Sequence, residues 1–468
     1  MEIPLTIKDT QKALLEKKFS CVELVDAYLE RIKKFDPKIN SFLTITDKFA
    51  YQEAKRMDLV LRDLGDEAFK AKPLLGTIVA YKDLFLTKGI RTTAASKVLN
   101  DYIPPYSATV VKRLEDAGAI CLGKLNCDAW AHGSSGENSD FGPTRNPWNL
   151  KYVPGGSSSG SGAALAANFC LLTTGTDTCG SIRLPANYCG VYGLKPTYGA
   201  VSRYGIVAMA SSLDSIGHFA RSIDDIKRVF KVIKGKDFKD ATLKQFPEKR
   251  KFKKKLKLGL AKEFFAKGID KQVEKNVLKA IQLLKKQGIK VMEISLPLTQ
   301  YAIAVYYIIQ PAEVSSNLAR YDGIRFANDR TFFGAEAKRR IMLGTYVLSA
   351  GYYKAYYLKA MQVRSLIIKE VAEAFKKVDA IVAPVAPTPA FKLGEKVDDP
   401  LKMYLTDIYA ATANLAGLPA LAIPYGFTKT GLPLGFQVMG PRFGEETLFR
   451  IATLFEEISC YQPKTAKL

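Results

Sequence analysis

A glycine- and serine-rich loop, VPGGSSSGSGAALAAN at residues 153–168, runs directly into a stretch of small residues that is typical of a helix. It belongs to a longer Gly/Ser/Asn/Pro-rich tract at 132–162, which is too long for an idle connection in a compact domain. A loop of this composition can hold a phosphate, present a nucleophile, or simply link two elements. The rest of the sequence decides between these three functions.

Helical and buried-strand patterns alternate along the chain, which indicates an α/β protein. Residues 5–35 have helical spacing, with Ser20 as the N-cap and Pro37 beyond the end of the helix. Apolar residues at 74–85 predict a buried strand that ends near Lys82 and Asp83. The other predicted elements are a helix, a turn and a strand within 107–126, helices at 163–172, 222–234, 269–288 and 334–377, and strands at 254–262, 288–297, 378–387, 417–426 and 432–441.

No linker separates two complete halves, so we expect residues 1–468 to form a single large α/β domain. Within it we expect a core carrying the Gly/Ser-rich loops at 71–225, a mostly helical region at 226–375, and a return to the central sheet at 376–468. No apolar run approaches the ~18 residues that a membrane span needs. The N-terminal segment has no apolar signal-peptide core, so we expect a cytoplasmic protein without a membrane contact.

Histidine and cysteine usage narrows the possible chemistry. Two histidines, His132 and His218, are too few for a multi-histidine metal site, and a Ser-His-Asp triad would have to use one of them. The seven cysteines include no Cys-x-x-Cys pair, which disfavours a zinc ribbon and a disulfide framework. We therefore expect no metal on this chain and reduced, mostly buried thiols.

The chain is strongly basic, with a formal net charge of +23. Its densest basic run, EKRKFKKKLK at 248–257, contains seven Lys and Arg residues. Such a run either contacts a polyanion such as nucleic acid or forms a solvated loop, and the run alone leaves both interpretations open.

The 153–168 loop fits a nucleophile site better than a phosphate site. No lysine follows its glycines as a P-loop requires, and Leu165 stands where Gly-x-Gly-x-x-Gly needs its last glycine. A serine nucleophile needs a base, and Lys82 can act as one if it is neutral. Lowering a lysine pKa from ~10.4 to ~7 costs about 4 to 5 kcal/mol, which burial can supply. Taken alone, Lys82 could instead be a structural ion-pair partner.

A second tract, GTDTCGSIRLPA at 175–186, carries Ser181. With Lys82 and PGGSSSGSGAA it resembles the amidase signature family, whose usual forms are Gly-Gly-Ser-Ser-Gly-Gly and Gly-Ser-Asp-Thr-Gly-Gly-Ser-Ile-Arg. The resemblance implies the amidase signature fold, an α/β fold with one large central mixed β-sheet flanked by α-helices on both faces. It also implies a Ser-Ser-Lys triad in which Ser181 is the nucleophile, Ser157 the proton relay, and Lys82 the general base and later the acid.

The same resemblance implies roles for residues around the triad. The Gly156–Ser157 peptide bond is expected to be cis. Small residues let an oxyanion approach the main chain closely, and the expected oxyanion hole consists of the N–H groups of Thr178, Cys179, Gly180 and Ser181. The residues expected to support the two loops are Gly156, Ser158, Asp177 and Arg183.

The sequence departs from the family pattern at a few positions. Ser159, Thr176 and Cys179 replace Gly, Ser and Gly, and His132 stands where an apolar residue is usual. None of these is a triad position. Cys179 as nucleophile is an alternative, although no histidine is placed nearby to activate it.

Tracts at 195–218, 315–326, 338–360 and 406–424 resemble the A subunits of tRNA-dependent amidotransferases, a group within this family. The resemblance implies that Arg340 holds the α-carboxylate of glutamine, that Asp407 holds its α-amino group, and that Tyr306 lines the pocket. A free amino acid needs one fixed cation and one fixed anion, and arginine holds a carboxylate bidentately. Arg339 is a close competitor of Arg340 for this role.

The resemblance further implies the glutaminase member of a heterotrimer that also contains the B and C subunits. Ammonia from glutamine would pass to the B subunit, which uses ATP and Mg²⁺ and carries most of the tRNA binding, to convert Glu-tRNA(Gln) or Asp-tRNA(Asn). No cofactor is expected on this chain, and the basic run is then a solvated loop. Two alternatives are a stand-alone amidase acting on another small amide and a non-catalytic basic RNA-binding or scaffold protein.

Overall fold

The computed structural model describes residues 2–246, 256–265, 268–324, 328–460, 462 and 464–468. Of the basic run at 248–257, only Leu256 and Lys257 belong to these residues, so the predicted solvated loop lies outside them. In the described ranges, no helix combines the length and the apolar character needed to cross a membrane.

The described residues contain one mixed sheet of eleven strands, which confirms the prediction of a single large mixed sheet. The strands are β1 (Phe42–Ile45), β2 (Ile78–Lys82), β3 (Ile120–Leu125), β4 (Leu172–Asp177), β5 (Tyr192–Lys195), β6 (Ser215–Ala220), β7 (Lys257–Ala261), β8 (Lys290–Ile294), β9 (Ala380–Ala383), β10 (Ala420–Phe427) and β11 (Pro433–Met439). Across the sheet they follow the order β1-β3-β2-β4-β6-β5-β10-β11-β9-β7-β8.

Fifteen α-helices accompany the sheet in the described part of the chain. They are α1 (Ile7–Leu15), α2 (Cys21–Ile39), α3 (Asp47–Leu64), α4 (Ala68–Ala71), α5 (Thr109–Asp116), α6 (Ser159–Ala166), α7 (Arg183–Cys189), α8 (Ile223–Ile233), α9 (Lys271–Lys286), α10 (Ala302–Asn317), α11 (Ala335–Leu348), α12 (Lys359–Lys377), α13 (Pro400–Leu405), α14 (Ala411–Leu415) and α15 (Glu445–Ser459). A π-helical turn, Lys354–Leu358, leads into α12.

The parallel pairing of β2 with β4 determines where the two sequence motifs meet. β2 is parallel to both of its neighbours, β3 and β4. Because parallel strands end at the same edge of a sheet, Lys82 at the end of β2 and Asp177 at the end of β4 come to one edge. The antiparallel strand β6 lies on the other side of β4 and places Ser215 opposite Asp177.

Helices pack on both faces of the sheet, as the two core clusters on β2 show. Ile78 and Ala80 belong to a buried cluster that also contains residues of α2 and α3, whereas Val79 and Tyr81 belong to a cluster with residues of α5 and α8. Successive side chains of a strand point to opposite faces. The two clusters therefore lie on opposite sides of the sheet.

Helix α6 explains why the 153–168 stretch is built from small residues. All eight of its residues are buried. A Cβ atom added at Gly160 would lie 2.6 Å from the carbonyl oxygens of Asn126 and Ser41, and one at Gly162 would lie 2.9 Å from that of Pro185. Side chains at these positions would push the helix away from the neighbouring backbone, which interior packing does not tolerate.

Most elements predicted from the sequence are confirmed, with differences at some boundaries. The small-residue helix begins at Ser159 rather than at 163. Pro37 lies inside α2, not beyond it, and the helix ends only when Asn40 adopts the left-handed conformation. Pro37 has no backbone N–H to donate, so one hydrogen bond of the last turns is missing. The residue before it, Asp36, accepts the N–H of Ser41 just after the end of the helix. The elements that the sequence patterns do not indicate are β1, β4, β5, β6, α3, α4, α7, α10, α13, α14 and α15.

Helices α10 and α11 are in close contact at Gly344, and this contact provides a test of the fold. A Cβ at position 344 would overlap the carbonyl group of Pro311 on α10. We expect Gly344→Ala to lower the free energy of unfolding by about 1 to 3 kcal/mol, the usual cost of overpacking a tight contact. Denaturant unfolding would measure it, with Thr345→Ala, an exposed position on the same helix, as the control. Equal stability of wild type and Gly344→Ala would contradict this packing.

Candidate active site

Lys82 ends the central strand β2 and is completely buried. Its Nζ donates hydrogen bonds to Ser157 Oγ at 2.8 Å and to Thr176 Oγ1 at 2.8 Å. Its backbone N–H donates to Thr174 Oγ1 at 3.1 Å, which ties the end of β2 to β4. Thr176, a departure from the family pattern, therefore keeps a hydroxyl group in contact with the lysine, a role that sequence reasoning missed.

Burial lowers the pKa of Lys82 to about 8. Removing the ammonium group from water disfavours its charged form. The nearby groups of Cys127, Asp128, Asp214 and Asp177 act in the opposite direction and stabilise the charge. The outcome is a lysine that is partly neutral near physiological pH, as a general base must be.

The loops that carry Ser157 and Ser181 are hydrogen-bonded to each other. The Gly156–Ser157 peptide bond is cis, as the resemblance implies. Ser158 N–H donates to the carbonyl oxygen of Ser181 at 3.2 Å, and Ser158 Oγ donates to the carbonyl of Thr176 at 3.3 Å. The loop after β3 is attached as well, because Asp128 N–H donates to the carbonyl of Ser157 at 3.1 Å.

The Asp177 carboxylate organises the loop that carries Ser181. It accepts the N–H groups of Gly180 at 2.7 Å and Ile182 at 3.2 Å, and it pairs with Arg183 Nε at 3.0 Å. Burial alone would raise the pKa of Asp177, but the charge and hydrogen bonds of Arg183 hold it well below its usual value. The loop is therefore held by a carboxylate whose ionised form is favoured.

Arg183 connects this loop to the far part of the chain. Its Nη1 donates to Gln437 Oε1 on β11 at 2.7 Å, and its Nη2 donates to Asn414 Oδ1 on α14 at 2.5 Å and to the Ala410 carbonyl at 3.1 Å. Asn414 in turn donates to the Asp177 carbonyl at 2.8 Å. Asp177 and Arg183 thus join the Ser181 loop to α14 and β11.

The N–H groups of the Ser181 loop are not all free to bind a substrate oxygen. That of Gly180 is already bonded to Asp177, which corrects the expectation that it belongs to the oxyanion hole. The N–H groups of Thr178, Cys179 and Ser181 make no intramolecular hydrogen bond within the described residues. Gly180 has φ +96° and a Cβ there would lie 2.8 Å from Ala410 Cβ, so its geometry requires glycine.

Asp214 and Asp128 are further parts of the site that sequence reasoning missed. The Asp214 carboxylate accepts the Thr178 hydroxyl at 2.8 Å and so holds the side chain of one free N–H donor. Asp128 accepts the N–H groups of Gly136 at 3.1 Å and Asn138 at 3.0 Å, and a Cβ at Gly156 would overlap its carboxylate. Asp128 follows β3, which is parallel to β2. Its position in the sequence could therefore have indicated that it lies at the same edge of the sheet as Lys82.

A cavity of about 130 Å³ is lined by Ser134, Tyr307 and Arg340, among others, but neither the three triad residues nor Asp407 belong to its lining. Asp407, which is 5% exposed, lies between this cavity and the Ser181 loop, because its Oδ1 would lie 3.9 Å from a Cβ at Gly180. Its Oδ2 accepts the hydroxyls of Ser134 at 2.6 Å and Tyr307 at 3.3 Å, both of which line the cavity. Burial raises the pKa of Asp407 to about 7, against the opposing effects of Ser134 and the Arg340 charge.

Arg340 lines the same cavity from α11. Its Nε donates to Glu336 Oε1 at 2.8 Å, and its Nη1 donates to Gln310 Oε1 at 2.8 Å. Its guanidinium lies 5.3 Å from the ring centre of Tyr307 and 5.6 Å from that of Tyr404. Arg340 is 3% exposed.

Two neighbours in the sequence, Arg339 and Tyr306, take positions different from Arg340 and Tyr307. The Arg339 side chain is 48% exposed and pairs with Glu336, although it also reaches the cavity wall. Tyr306 does not line the cavity; its ring packs edge-on against Tyr307 at 4.8 Å and belongs to the buried cluster that contains Cys179. Lys396 adds a further cation to the wall, which the sequence did not indicate.

The histidines and cysteines do not offer a competing nucleophile site. Burial raises the pKa of the Cys179 thiol well above its ordinary value, which keeps it protonated and weakly nucleophilic. His218 Nε2 bonds with the Ile226 carbonyl at 3.0 Å, and burial lowers its pKa to about 4. His132 is buried in the loop after β3, and burial lowers its pKa well below its usual value. All seven cysteines are free thiols, with Cys460 exposed and the others buried.

Metal ligands are not assembled here: within the described ranges, no group of three or more His, Cys, Asp and Glu side chains is placed to hold a metal ion. The polar groups that converge on the site are instead a lysine, several hydroxyls, free backbone N–H groups, and buried arginines and carboxylates. Such a set suits proton transfer and anion stabilisation at an acyl group.

Comparisons with known proteins agree with this geometry. The family model described as Amidase matches residues 23–449. The A subunit of glutamyl-tRNA(Gln) amidotransferase from Geobacter metallireducens is 50% identical over 99% of both chains, and that from Carboxydothermus hydrogenoformans is also 50% identical over 99% of both. The crystal structure of the A subunit of glutamyl-tRNA(Gln) amidotransferase from Thermotoga maritima superposes with a TM-score of 0.83 at 40% identity, covering 99% of this chain and 98% of that one. The chain therefore belongs to the amidase family, within the group of glutamyl-tRNA(Gln) amidotransferase A subunits.

Proposed function

We propose that this chain is the glutamine-hydrolysing subunit of a tRNA-dependent amidotransferase. The observation that carries the proposal is the buried Lys82, with a pKa lowered to about 8 and its Nζ 2.8 Å from Ser157 Oγ, on a loop bonded to that of Ser181. A neutral lysine beside a hydroxyl that can pass on a proton supplies the base that a serine nucleophile needs.

In the proposed reaction, Ser181 Oγ attacks the side-chain amide carbon of glutamine. The Ser181 proton moves to Ser157, and the Ser157 proton moves to Lys82. When the tetrahedral intermediate collapses, the proton returns through Ser157 to the amide nitrogen, and ammonia leaves. Water, deprotonated by the same relay, then releases glutamate from the acyl-enzyme and restores the Ser181 hydroxyl.

The negative oxygen of both tetrahedral intermediates is stabilised by the free N–H groups of Thr178, Cys179 and Ser181. Preorganised donors in a water-poor site stabilise developing charge strongly because they need no reorganisation. Gly180 is left out of this set because its N–H is bonded to Asp177. Asp177, Arg183, Ser158 and Gly156 maintain the loop geometry.

Glutamine is held by opposite charges at its α-carbon. Arg340 binds the α-carboxylate, and Asp407 binds the α-amino group. Their burial supports this role, because charges in a water-poor pocket discriminate strongly between ligands. Tyr307 lines the pocket between these two charges, whereas Tyr306 supports it from the buried cluster that contains Cys179.

The released ammonia serves a partner. The B subunit, using ATP and Mg²⁺ and holding most of the tRNA, converts Glu-tRNA(Gln) to Gln-tRNA(Gln), or Asp-tRNA(Asn) to Asn-tRNA(Asn), with the C subunit as the third, small member of a cytoplasmic heterotrimer. The names of the curated relatives, which describe one subunit of an amidotransferase, support a multisubunit assembly. If the B and C subunits leave the glutaminase rate unchanged, the chain is instead a stand-alone amidase.

Replacing the nucleophile separates the two half-reactions. We expect Ser181→Ala to abolish glutamine hydrolysis, while its complex with the B and C subunits still forms Gln-tRNA from added ammonium chloride. Cys179→Ala is the matched control on the same loop and should retain most activity, since the Cys179 thiol stays protonated. Ammonia release and aminoacyl-tRNA analysis measure the two activities. Retained hydrolysis in Ser181→Ala would refute the assignment.

The pH profile reports the state of Lys82. Its protonated form cannot act as a base, so kcat/KM for glutamine should rise with pH by about tenfold per unit up to the pKa of about 8 and then level off. Below pH 7 the rise should steepen, because protonated Asp407, with a pKa of about 7, no longer attracts the α-amino group. Steady-state kinetics from about pH 5.5 to about pH 9.5 measure this profile, and a flat one excludes Lys82 as the base.

Lys82 variants test the relay directly. Lys82→Arg keeps a positive charge that is never lost, so it should lose activity by a factor on the order of 10⁴, as should Lys82→Ala. The double variant Lys82→Ala/Ser157→Ala should be little worse than either single variant, since base and relay act as one unit. Losses that multiply across the double variant would speak against a shared proton path.

Substitutions in the pocket distinguish Arg340 from its neighbour. Arg340→Ala and Asp407→Ala each leave a charge of bound glutamine unpaired, and we expect KM to rise by a factor corresponding to about 2 to 5 kcal/mol. Arg339→Ala is the control and should change KM little, because this side chain is half-exposed. Asparagine should be a poor but measurable substrate. An unchanged KM in Arg340→Ala and Asp407→Ala would remove both residues from the pocket.

A further inference from the structure

An exposed group of apolar side chains covers the outer side of α11 and the turn that follows it. This tyrosine face consists of Met342 at 73% exposure, Leu343 at 38%, Tyr346 at 46%, Tyr352 at 40% and Tyr356 at 42%. Met342 and Tyr346 are four residues apart and therefore lie on the same side of the helix. Contiguous exposed apolar side chains mark interaction surfaces, whereas scattered ones need no explanation.

The rings of the tyrosine face are packed against each other. The centroids of Tyr346 and Tyr352 are 4.2 Å apart, and Tyr356 lies 6.0 Å from Tyr352 and 6.4 Å from Tyr346. Because the rings pack on each other, they offer bases few free ring faces on which to stack. The most exposed member of the face is the aliphatic Met342. They favour apolar protein side chains over RNA as the covering surface.

The chain segment that carries the face has charges of one sign, and Glu336, which pairs with Arg339 and Arg340, lies just before it. Residues 337–369 contain seven Lys and Arg and no Asp or Glu. Lys338, Lys354, Lys359 and Lys369 are exposed, whereas Arg340 points into the glutamine pocket. A complementary partner therefore carries net negative charge, since charge complementarity at the rim of an interface steers association.

The helix under the face also forms the pocket. Arg340 projects from the buried side of α11 and is bonded to Gln310 of α10. Gly344 lets α11 touch the Pro311 carbonyl of α10 without an intervening side chain. α10 in turn supplies Tyr307, which bonds to Asp407. A partner bound to the outer side of α11 would thus contact the helix that positions Arg340.

We infer that the tyrosine face is the docking surface for an acidic, apolar surface of a partner protein in the amidotransferase complex, and that docking there holds α11 and lowers the KM for glutamine. This inference rests on the proposed function, which requires a partner for the released ammonia. Beyond the proposed function, it names the surface of this chain that the partner binds and the helix through which binding changes the KM for glutamine.

The test uses Met342→Glu, with Met342→Lys and Leu59→Glu as matched variants. Leu59 is 49% exposed on α3, which packs at the other end of the sheet. Affinity for the purified B and C subunits is measured by calorimetry, and glutaminase kcat and KM are measured with and without them. We expect Met342→Glu to weaken binding by about tenfold or more and to lose the partner-induced fall in KM. Met342→Lys should weaken binding less, and Leu59→Glu should bind like wild type. Without partners, all variants should hydrolyse glutamine at the wild-type rate.

The possible failures are distinguishable. Wild-type affinity for the partners in Met342→Glu, with a normal fall in KM, overturns the docking surface while the proposed function stands. The same holds if Met342→Glu weakens tRNA binding to the isolated chain but not binding to the partners, since the face then serves RNA. If the wild-type chain itself neither binds the partners nor hydrolyses glutamine, the proposed function fails and this inference with it.

Discussion

The buried ion pair between Asp177 and Arg183 is the interaction on which the rest of the site depends. A buried pair is worth its desolvation cost only if its remaining donors and acceptors are satisfied. Here the carboxylate also accepts the N–H groups of Gly180 and Ile182, and the guanidinium reaches β11 and α14. The pair therefore fixes the Ser181 loop to a strand and a helix from a distant part of the chain, and removing either partner would leave an uncompensated charge in the core.

Close backbone approach is the second constraint on the site. α6 lies against neighbouring carbonyl groups with no room for side chains at Gly160 and Gly162, and Gly156 packs on the Asp128 carboxylate. This density excludes water from around Lys82, and the missing hydration lowers its pKa. The same packing that holds the loop thus also favours the neutral form of the Lys82 amine.

Charge is distributed differently in the pocket and on the surface. Inside, Arg340 and Asp407 are both buried, and Arg340 is paired with Glu336. Outside, the cations around the tyrosine face are numerous, exposed and of one sign. Buried charges give selectivity because an unpaired one is costly, whereas exposed ones are screened and mainly steer association. α11 carries Arg340 on its buried side and the exposed Lys338 and Met342 on its outer side.

The sequence by itself determined the fold class, the strand that ends at Lys82, and the two loops of Ser157 and Ser181, because these depend on local patterns and short motifs. It did not reveal β1, a four-residue strand, or β6, whose SIGHFA pattern is neither alternating nor uniformly apolar. Only the tertiary structure decided which donors are free, because Gly180 N–H is claimed by Asp177, and which of Arg339 and Arg340 faces inward. Only the tertiary structure also showed that Thr176, Asp128 and Asp214 belong to the site. Such contacts join residues far apart in the chain, and no local pattern encodes them.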